Sequence, residues 1–414
     1  MTGLQVGRAV AEELDAADPL RPLRAEFVCD EPGPIYLDGN SLGRLPVATP
    51  GFLAKVVREG WGTGLVRSWE TWIDWSRQLG DRLAAHTLGA EAGEVVVADS
   101  TSVNLYKLAA AALDARPDRC TIVVDAEDFP TNRYLLQGLA EQHWIRVERV
   151  HGRDAVLDAL TDDVAVVVLS QVSYRSGVLL DMAEINRAAR RAGALVVWDL
   201  SHSAGVVPVR LGADGADLAV GATYKYLNGG PGSPAFLYVR KELQRHLRQP
   251  VWGWFGQTDQ FGMGADYEPV ETIDRFLVGT PPLLSLAAIA PALDVLERVP
   301  VSAVRAKSVR LSEFTIDLAE QWLVPHGFLL ASPRDAQRRG SHVSLAHPDA
   351  ALISRALRER HEVICDFRAP DLLRVGLAPL YTSFTDVWDG LDRVRTVVET
   401  RGYEHLPPAV TRVT

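Results

Sequence analysis

Three residues mark where this chain does chemistry: Asp199, closing the apolar run Val196-Val197-Trp198, His202 three positions on, and Lys225, 26 positions after the acid. An acid, an imidazole and an amine at this spacing suit pyridoxal phosphate. The aldehyde of that cofactor takes a lysine as Schiff-base partner, and its ring nitrogen stays protonated beside a carboxylate, so that the ring can accept electrons from a substrate carbanion. The neighbours of Asp199 predict a buried carboxylate, which is costly unless paired. Lys225 follows a second apolar run, Leu218 to Gly221, and loss of solvation would make its amine easier to deprotonate and more nucleophilic. Taken singly, Asp199 also reads as a helix cap or metal ligand, His202 as a turn cap and Lys225 as a surface residue. Their joint spacing favours the cofactor.

The elements that must position these groups follow a regular alternation. Short strands of continuous Val/Leu/Ile character are expected at Val95 to Ala98, Thr121 to Val124, Val164 to Leu169 and Ala194 to Trp198, with helices from Val103, Thr131 and Asp181 between them. That texture implies an α/β fold with a parallel sheet covered on both faces. Leu218 to Gly221 and Ala235 to Val239 extend the sheet, one of them antiparallel. Helical spacing is also read at residues 5 to 17 and from Trp69 to Leu88. Beyond Pro282 come two long helical patterns, Leu283 to Glu297 and Val301 to Trp322. Short strands follow at Phe328 to Ala331, His342 to Leu345, Val363 to Cys365 and Leu372 to Val375, then a last helix from Thr385 to Thr400. The expected division is an N-terminal segment at 1–45, a large cofactor-binding domain at 46–285 and a smaller α+β domain at 286–414. The stretch from Gln249 to Gly264, dense in Gly, Trp and Phe, is too irregular for a plain connector.

Ligands of open α/β sheets bind beyond the carboxyl ends of the strands. Thr101 and Ser102 stand there and open a helix, whose free N–H groups and dipole favour a phosphate, although plain helix capping explains them equally. Phe129 could stack on a cofactor ring and Asn132 could hydrogen-bond to it; in isolation Phe129-Pro130-Thr131-Asn132 is a turn. Ser170 follows a third strand, within reach of the same region. The Gly229-Gly230-Pro231-Gly232 loop lacks the GxxxxGK[ST] order of a nucleotide P-loop, and no GxGxxG opens a helix.

Composition bounds the reading. A chain of 414 residues with 47% hydrophobic content can build a substantial core, and a net charge of -10, with both signs interspersed, argues against a nucleic-acid or anionic-membrane surface. Cys29, Cys120 and Cys365 are far apart and form no CxxC pair, so neither a disulfide framework nor a metal site is expected, and a cytoplasmic location is. No signal peptide and no membrane span is read from the sequence.

Across nearly its whole length the chain resembles the kynureninase family, pyridoxal phosphate enzymes of fold type I (aspartate aminotransferase-like). The likeness rests on Tyr36-Leu37-Asp38-Gly39-Asn40-Ser41-Leu42-Gly43, Phe129-Pro130-Thr131, Trp198-Asp199-Leu200-Ser201-His202, Tyr224-Lys225-Tyr226-Leu227-Asn228, Gly253-Trp254-Phe255-Gly256, Gly279-Thr280-Pro281-Pro282 and Leu373-Arg374-Val375. The resemblance implies hydrolysis of L-kynurenine to anthranilate and L-alanine. Lys225 would carry the cofactor and act as base, Asp199 would pair with the ring nitrogen, and His202 would lie against the ring. Tyr224 would contact the phosphate and move protons. Thr101, Ser102, Phe129, Thr131, Asn132 and Ser170 would complete the cofactor site from the same chain. Trp254 and Thr280 would complete that of a second subunit in a homodimer with shared sites. Arg374, with Asn40 and Ser41, would hold the substrate, the arginine taking its α-carboxylate in a bidentate fork.

Two departures stand out: family members commonly carry aspartate at the position of Asn132 and histidine at that of Gln257. The alternatives are a cysteine desulfurase or selenocysteine lyase of the same fold, and a non-catalytic cofactor-binding protein. The persulfide-forming desulfurases need a cysteine on a mobile loop, whereas Cys365 falls in an expected strand, Glu362 to Phe367.

Overall fold

The computed structural model describes residues 7–29, 33–404 and 406. Its centre is a seven-stranded sheet made of β1 (Val95–Val97), β2 (Thr121–Asp125), β3 (Arg146–Val150), β4 (Val164–Ser170), β5 (Leu195–Asp199), β6 (Leu218–Gly221) and β7 (Phe236–Val239), in the spatial order β1-β7-β6-β5-β4-β2-β3. From β6 across to β3 the strands run parallel, and β7 is antiparallel to both its neighbours, β1 and β6. The unbroken apolar runs follow from burial of both faces. Val123, Val167, Val196 and Trp198 face one core, while Ile122, Val124, Val166, Val168 and Val197 face another on the opposite side. Trp198 is wholly buried, and its indole N–H donates to Asn186 Oδ1 at 2.8 Å, fastening helix Met182–Ala192 to β5.

A four-stranded antiparallel sheet forms from Leu329–Leu330, Val343–Ala346, Asp366–Arg368 and Leu372–Val375. Helices Val301–Trp322, Ala350–Arg360 and Phe384–Glu399 share a third apolar core with it. Ile35–Tyr36 pairs in parallel with Val363–Ile364, so the N-terminal segment is stitched to this C-terminal unit. Asp15 reinforces the link, accepting from the backbone N–H groups of Phe384 and Thr385 at 2.7 and 3.0 Å.

Several elements differ from the sequence expectation, each for a physical reason. The helical stretch from Trp69 to Leu88 is broken into Trp69–Trp72 and Trp75–Leu83 and ends in a π-helical turn at Ala84–Leu88. Trp69, Trp72 and Trp75 pack edge to face there, their centroids 5.7 and 6.4 Å apart. The pattern from Leu283 to Glu297 splits into Leu283–Ala287 and Ile289–Leu296. Strand β3 was not expected, because its Arg-Val-Glu-Arg-Val alternation lacks an apolar run; it is the sheet's edge, open to solvent on one side. The N-terminal helix runs Arg8–Ala16, and Val6, which its spacing also counted, lies outside the described residues.

The turn after Tyr36 comes close to the loop that carries Lys225. The Gly43 N–H donates to Tyr224 O at 2.8 Å, and a Cβ on Gly43 would lie 2.4 Å from Lys225 O and 2.3 Å from Asn228 Oδ1. Gly43→Ala must therefore push the two loops apart. A loss of about 2 kcal/mol, typical of overpacking, is expected in denaturant unfolding of the apoprotein, and unchanged stability would refute this close contact.

Candidate active site

The candidate groups gather beyond the carboxyl ends of β2, β4, β5 and β6, where the chain leaves each strand. Asp199 ends β5 in register with Ser170 at the end of β4 and Val220 on β6. Its two oxygens are held separately: the Ser201 N–H donates to Oδ1 at 2.9 Å and the Asn132 side-chain amide to Oδ2 at 3.1 Å. A carboxylate offers about four lone-pair sites, so Asp199, with two donors, keeps capacity for a further one.

Lys225 lies four residues past β6, its Nζ 2.9 Å from His202 Nε2. Burial, opposed by the Asp199 charge and aided by Arg374 and Arg368, lowers its amine to about pKa 8. Burial, and next the Lys225 charge, hold His202 well below its ordinary value, so the ring is neutral. Nε2 accordingly accepts from the lysine and the proton sits on Nδ1, an atom that is buried with no partner among the described residues. Tyr224 is half-buried, and burial together with the Asp199 charge raises its phenol.

Around this core the other expected residues fall as follows. Thr101 and Ser102 are the first two residues of helix Thr101–Asp114, which starts two residues earlier than its apolar pattern indicated; the N-cap is Ser100, whose Oγ accepts from the Val103 N–H. Among the described residues the Thr101 and Ser102 N–H groups have no partner. The buried Lys107 of the same helix donates to Asp99 Oδ2 and to Phe276 O, both at 2.7 Å, fixing the helix start against the 273–276 turn. Phe129 is 39% exposed and meets Tyr174 edge to face at 5.3 Å. Thr131 is the second residue of helix Pro130–His143, and the Ser170 hydroxyl donates to Asp128. These residues fit pyridoxal phosphate. There is an amine of lowered pKa, a carboxylate with spare acceptor capacity, an orphaned imidazole nitrogen, an accessible aromatic ring and a helix start with free N–H groups. A cavity of about 290 Å³ borders Asp128, Ser170 and Tyr174, but Lys225 is not among the residues that line it, so the chemistry is located by the residues rather than by this void.

Arg374 is 1% exposed and heavily engaged. Its Nε donates to Asp366 Oδ1 at 2.9 Å, Nη2 to Asp366 Oδ2 and to Ser41 Oγ, and Nη1 to Tyr174 O. With its amide oxygen turned toward the guanidinium, Asn40 accepts from Nη2 at 3.0 Å and Nε at 2.9 Å. Asp366 also accepts from Arg368 Nη2 and Ser41 Oγ, both at 2.9 Å. Burial pushes Asp366 up, yet Arg374, Arg368 and Ser41 together bring it below its ordinary value; burial and the Asp366 charge raise neighbouring Asp38 to about 7. No motif marked Asp366. Nor did any mark His342, which packs on the His202 ring at 5.5 Å with both ring nitrogens buried and unpartnered among the described residues, or Asp128, which joins Ser170 to Asn132.

The structure does not bring Trp254 and Thr280 to the Lys225 cluster among the bonds of the described residues. Both are exposed, on segments that touch each other where the Phe255 N–H donates to Val278 O. Gln257 is taken up locally, bonding Glu268 N and Asp266 O.

The fold and this constellation define a pyridoxal phosphate enzyme of fold type I. Solved structures share the fold: a cysteine desulfurase from Thermococcus onnurineus NA1, with a TM-score of 0.76, 19% identity and coverage of 97% of this chain and 100% of that one. A C-DES variant with glycine covalently linked to its PLP cofactor gives a TM-score of 0.77 at 19% identity, covering 90% of this chain and 98% of that one. The chain belongs to the kynureninase family. It is 45% identical to a kynureninase of Pseudomonas fluorescens, covering 93% of this chain and 94% of the relative. It is 45% identical to one of Burkholderia pseudomallei (strain K96243), covering 98% of both. The family description "Kynureninase C-terminal domain" matches residues 304–394.

Two measurements test the site. Because burial disfavours the ammonium, capture of a small aldehyde by Lys225 of the apoprotein, trapped with borohydride, should rise with pH through a midpoint near 8 and level off above it; a midpoint at the ordinary 10.5 would overturn the burial argument. Asp366→Asn would leave two guanidinium groups short of their shared anion, and a destabilisation of about 3 kcal/mol is expected in denaturant titrations.

Proposed function

We propose that the protein hydrolyses L-kynurenine to anthranilate and L-alanine with pyridoxal phosphate as cofactor. The observation that carries this reading is the likeness to kynureninases over almost the entire chain, and the chemistry of the Lys225 site supports it.

Bound pyridoxal phosphate supplies an electron sink for a carbanion formed beside an amino group. The chain's residues do the rest. Lys225 would carry the cofactor and, once the substrate amino group has displaced it, would be the free amine, lowered by burial to about pKa 8, that takes the proton from the substrate α-carbon. Asp199 keeps the proton on the ring nitrogen, held in place by Ser201 and Asn132. His202 keeps the lysine amine aimed, and Phe129 covers the ring. Thr101 and Ser102 hold the phosphate with Tyr224, whose phenol also moves protons when water adds to the γ-carbonyl and the Cβ–Cγ bond breaks. Thr131 and Ser170 line the same rim. Arg374, Asn40 and Ser41 hold the α-carboxylate. This requires the carboxylate to share a guanidinium that Asp366 already grips, so Asp366 sets the angle of the fork as well as its charge.

A homodimer with shared sites belongs to this proposal. Trp254, Phe261 and Met263 are exposed apolar side chains of the 249–264 segment, and Trp61, Leu65 and Val66 are exposed elsewhere; large exposed apolar residues of this kind favour a protein partner. We assign residues 1–45, 46–285 and 286–414 to the N-terminal segment, the cofactor domain and the small domain. No helix of the described residues is long and apolar enough to cross a membrane; a cytoplasmic role in tryptophan breakdown is the location and pathway we propose. A desulfurase working through a persulfide is disfavoured at Cys365, which is buried, with its thiol raised chiefly by burial.

Cofactor-loaded protein mixed with L-kynurenine should release fluorescent anthranilate and L-alanine, and L-cysteine should release no sulfide; the reverse result would move the chain to the desulfurases. Lys225→Ala should abolish turnover and the visible absorbance of lysine-bound cofactor. Arg374→Ala should raise KM by about a hundredfold, as expected for a lost charged hydrogen-bond pair.

A further inference from the structure

Asp128 is a buried acid for which the proposed chemistry has no use. It is 4% exposed, it sits between β2 and helix Pro130–His143, and among the described residues no cation pairs with it. Four donors hold it instead. The Ser170 hydroxyl donates to Oδ1 at 2.6 Å, the Ser170 N–H to Oδ2 at 3.0 Å, the Phe129 N–H to Oδ1 at 2.6 Å and the Asn132 side-chain amide to Oδ1 at 3.3 Å. Two of these donor residues adjoin Asp199: Ser170 is in register with it and Asn132 donates to it. A buried carboxylate without a cation persists only where hydrogen bonds replace its lost hydration, so this set is the condition for its being there.

The amide of Asn132 is the connecting piece. One nitrogen, Nδ2, reaches Asp128 Oδ1 at 3.3 Å and Asp199 Oδ2 at 3.1 Å, so its two hydrogens are spent on two carboxylates. A flipped amide would turn its carbonyl oxygen toward both acids, which repel it. The order acid, amide, acid therefore has one workable orientation, and Asp128 enforces it from the side remote in sequence from Asp199.

We infer that Asp128 is a positioning residue for Asp199, acting through the Asn132 amide, and that the three side chains work as one hydrogen-bonded unit that aims the Asp199 carboxylate at the ring nitrogen of the cofactor. The inference rests on the pyridoxal phosphate reading above. It also gives the departure at position 132 a physical meaning. An aspartate there would face two further carboxylates and force one of the three to take a proton, whereas a carboxamide satisfies both. The acid that position 132 lacks is present one helical turn upstream. Asp128 answers to the same field: burial raises it to about 6, and the Asp199 charge adds to the rise.

Exchanging the two side chains tests the unit. Apoprotein is titrated with pyridoxal phosphate, reading the dissociation constant and the pH midpoint of the bound cofactor's visible absorbance, with the melting temperature of each apoprotein as control. Asp128→Asn removes the charge and turns one of the two acceptor oxygens into a donor that faces the Ser170 N–H or the three donors on Oδ1. It should weaken cofactor binding about tenfold or more, the cost of a charged hydrogen bond, and shift the absorbance midpoint. Asn132→Asp should weaken binding at alkaline pH and recover as the pH falls and one carboxyl is protonated. The double exchange leaves two carboxyl groups where Asn132→Asp has three, with no amide between position 132 and Asp199, so both readouts should improve on Asn132→Asp without reaching the parent.

Asp128→Asn with parental affinity and midpoint would overturn the inference, as would a double exchange no better than Asn132→Asp alone. That second comparison decides the matter even if Asp128→Asn does not fold by itself. Failure of the unmodified protein to take up pyridoxal phosphate would instead overturn the functional reading.

Discussion

A carboxylate at the end of a parallel strand, shut off from water, keeps its charge only if donors are brought to it. Most of the site can be understood from that demand on Asp199. The strand is buried on both faces, so the donors must come from the loops beyond it: Ser201 from the turn that follows, Asn132 from the helix after β2. The same withdrawal from water that makes the acid demanding makes Lys225 reactive, because burial costs the ammonium its hydration while Asp199 only partly compensates. One environment thus gives an acid two hydrogen-bond donors and lowers an amine to about pKa 8. The difference is hydrogen bonding, since the acid has two tethers and the amine has a neutral imidazole.

A second buried charge cluster surrounds Arg374 and follows other rules. Asp366 is fully enclosed, and Arg374, Arg368 and Ser41 converge on it. Removing any one partner would strand the others in a low-dielectric interior. The cluster is also where three parts of the chain meet: the Asn40–Ser41 turn, the strands Asp366–Arg368 and Leu372–Val375, and the Tyr174 carbonyl beyond β4. An arginine gripped from three sides cannot wander, and this rigidity is what a bidentate reader of a carboxylate requires. The cost of burying Asp366 is in this sense inseparable from the aim of Arg374.

The two clusters face each other across His202, whose ring pairs with Lys225 on one side and packs on His342 on the other. The turn at Asn40 to Gly43 closes over the Lys225 loop at a distance only glycine permits. The N-terminal segment is thereby tied at once to the C-terminal unit, through the pairing of Ile35–Tyr36 with Val363–Ile364, and to the Lys225 loop.

The sheet was legible in the sequence because strands buried on both faces have to be apolar throughout; β5 and β6 announce themselves, and the acid and lysine just beyond them inherit that clarity. Edge strand β3 was not legible, since a half-exposed strand with alternating charge looks like a loop. The helix from Trp69 to Leu88 was read as continuous because periodicity records which faces are apolar and not where packing of three tryptophans interrupts the backbone. Among the site residues, those defined by local spacing, Asp199, His202 and Lys225, could be found from the chain alone. Asp366 and Asp128 could not. Each is an acid among many whose importance comes from partners far away in sequence, Ser41 for one and Ser170 for the other. Sequence by itself singled out the groups proposed to carry the chemistry, because their types and intervals are local properties; only the tertiary structure decided which buried acids bond to those groups, because a hydrogen bond between distant segments leaves no periodic trace in the chain.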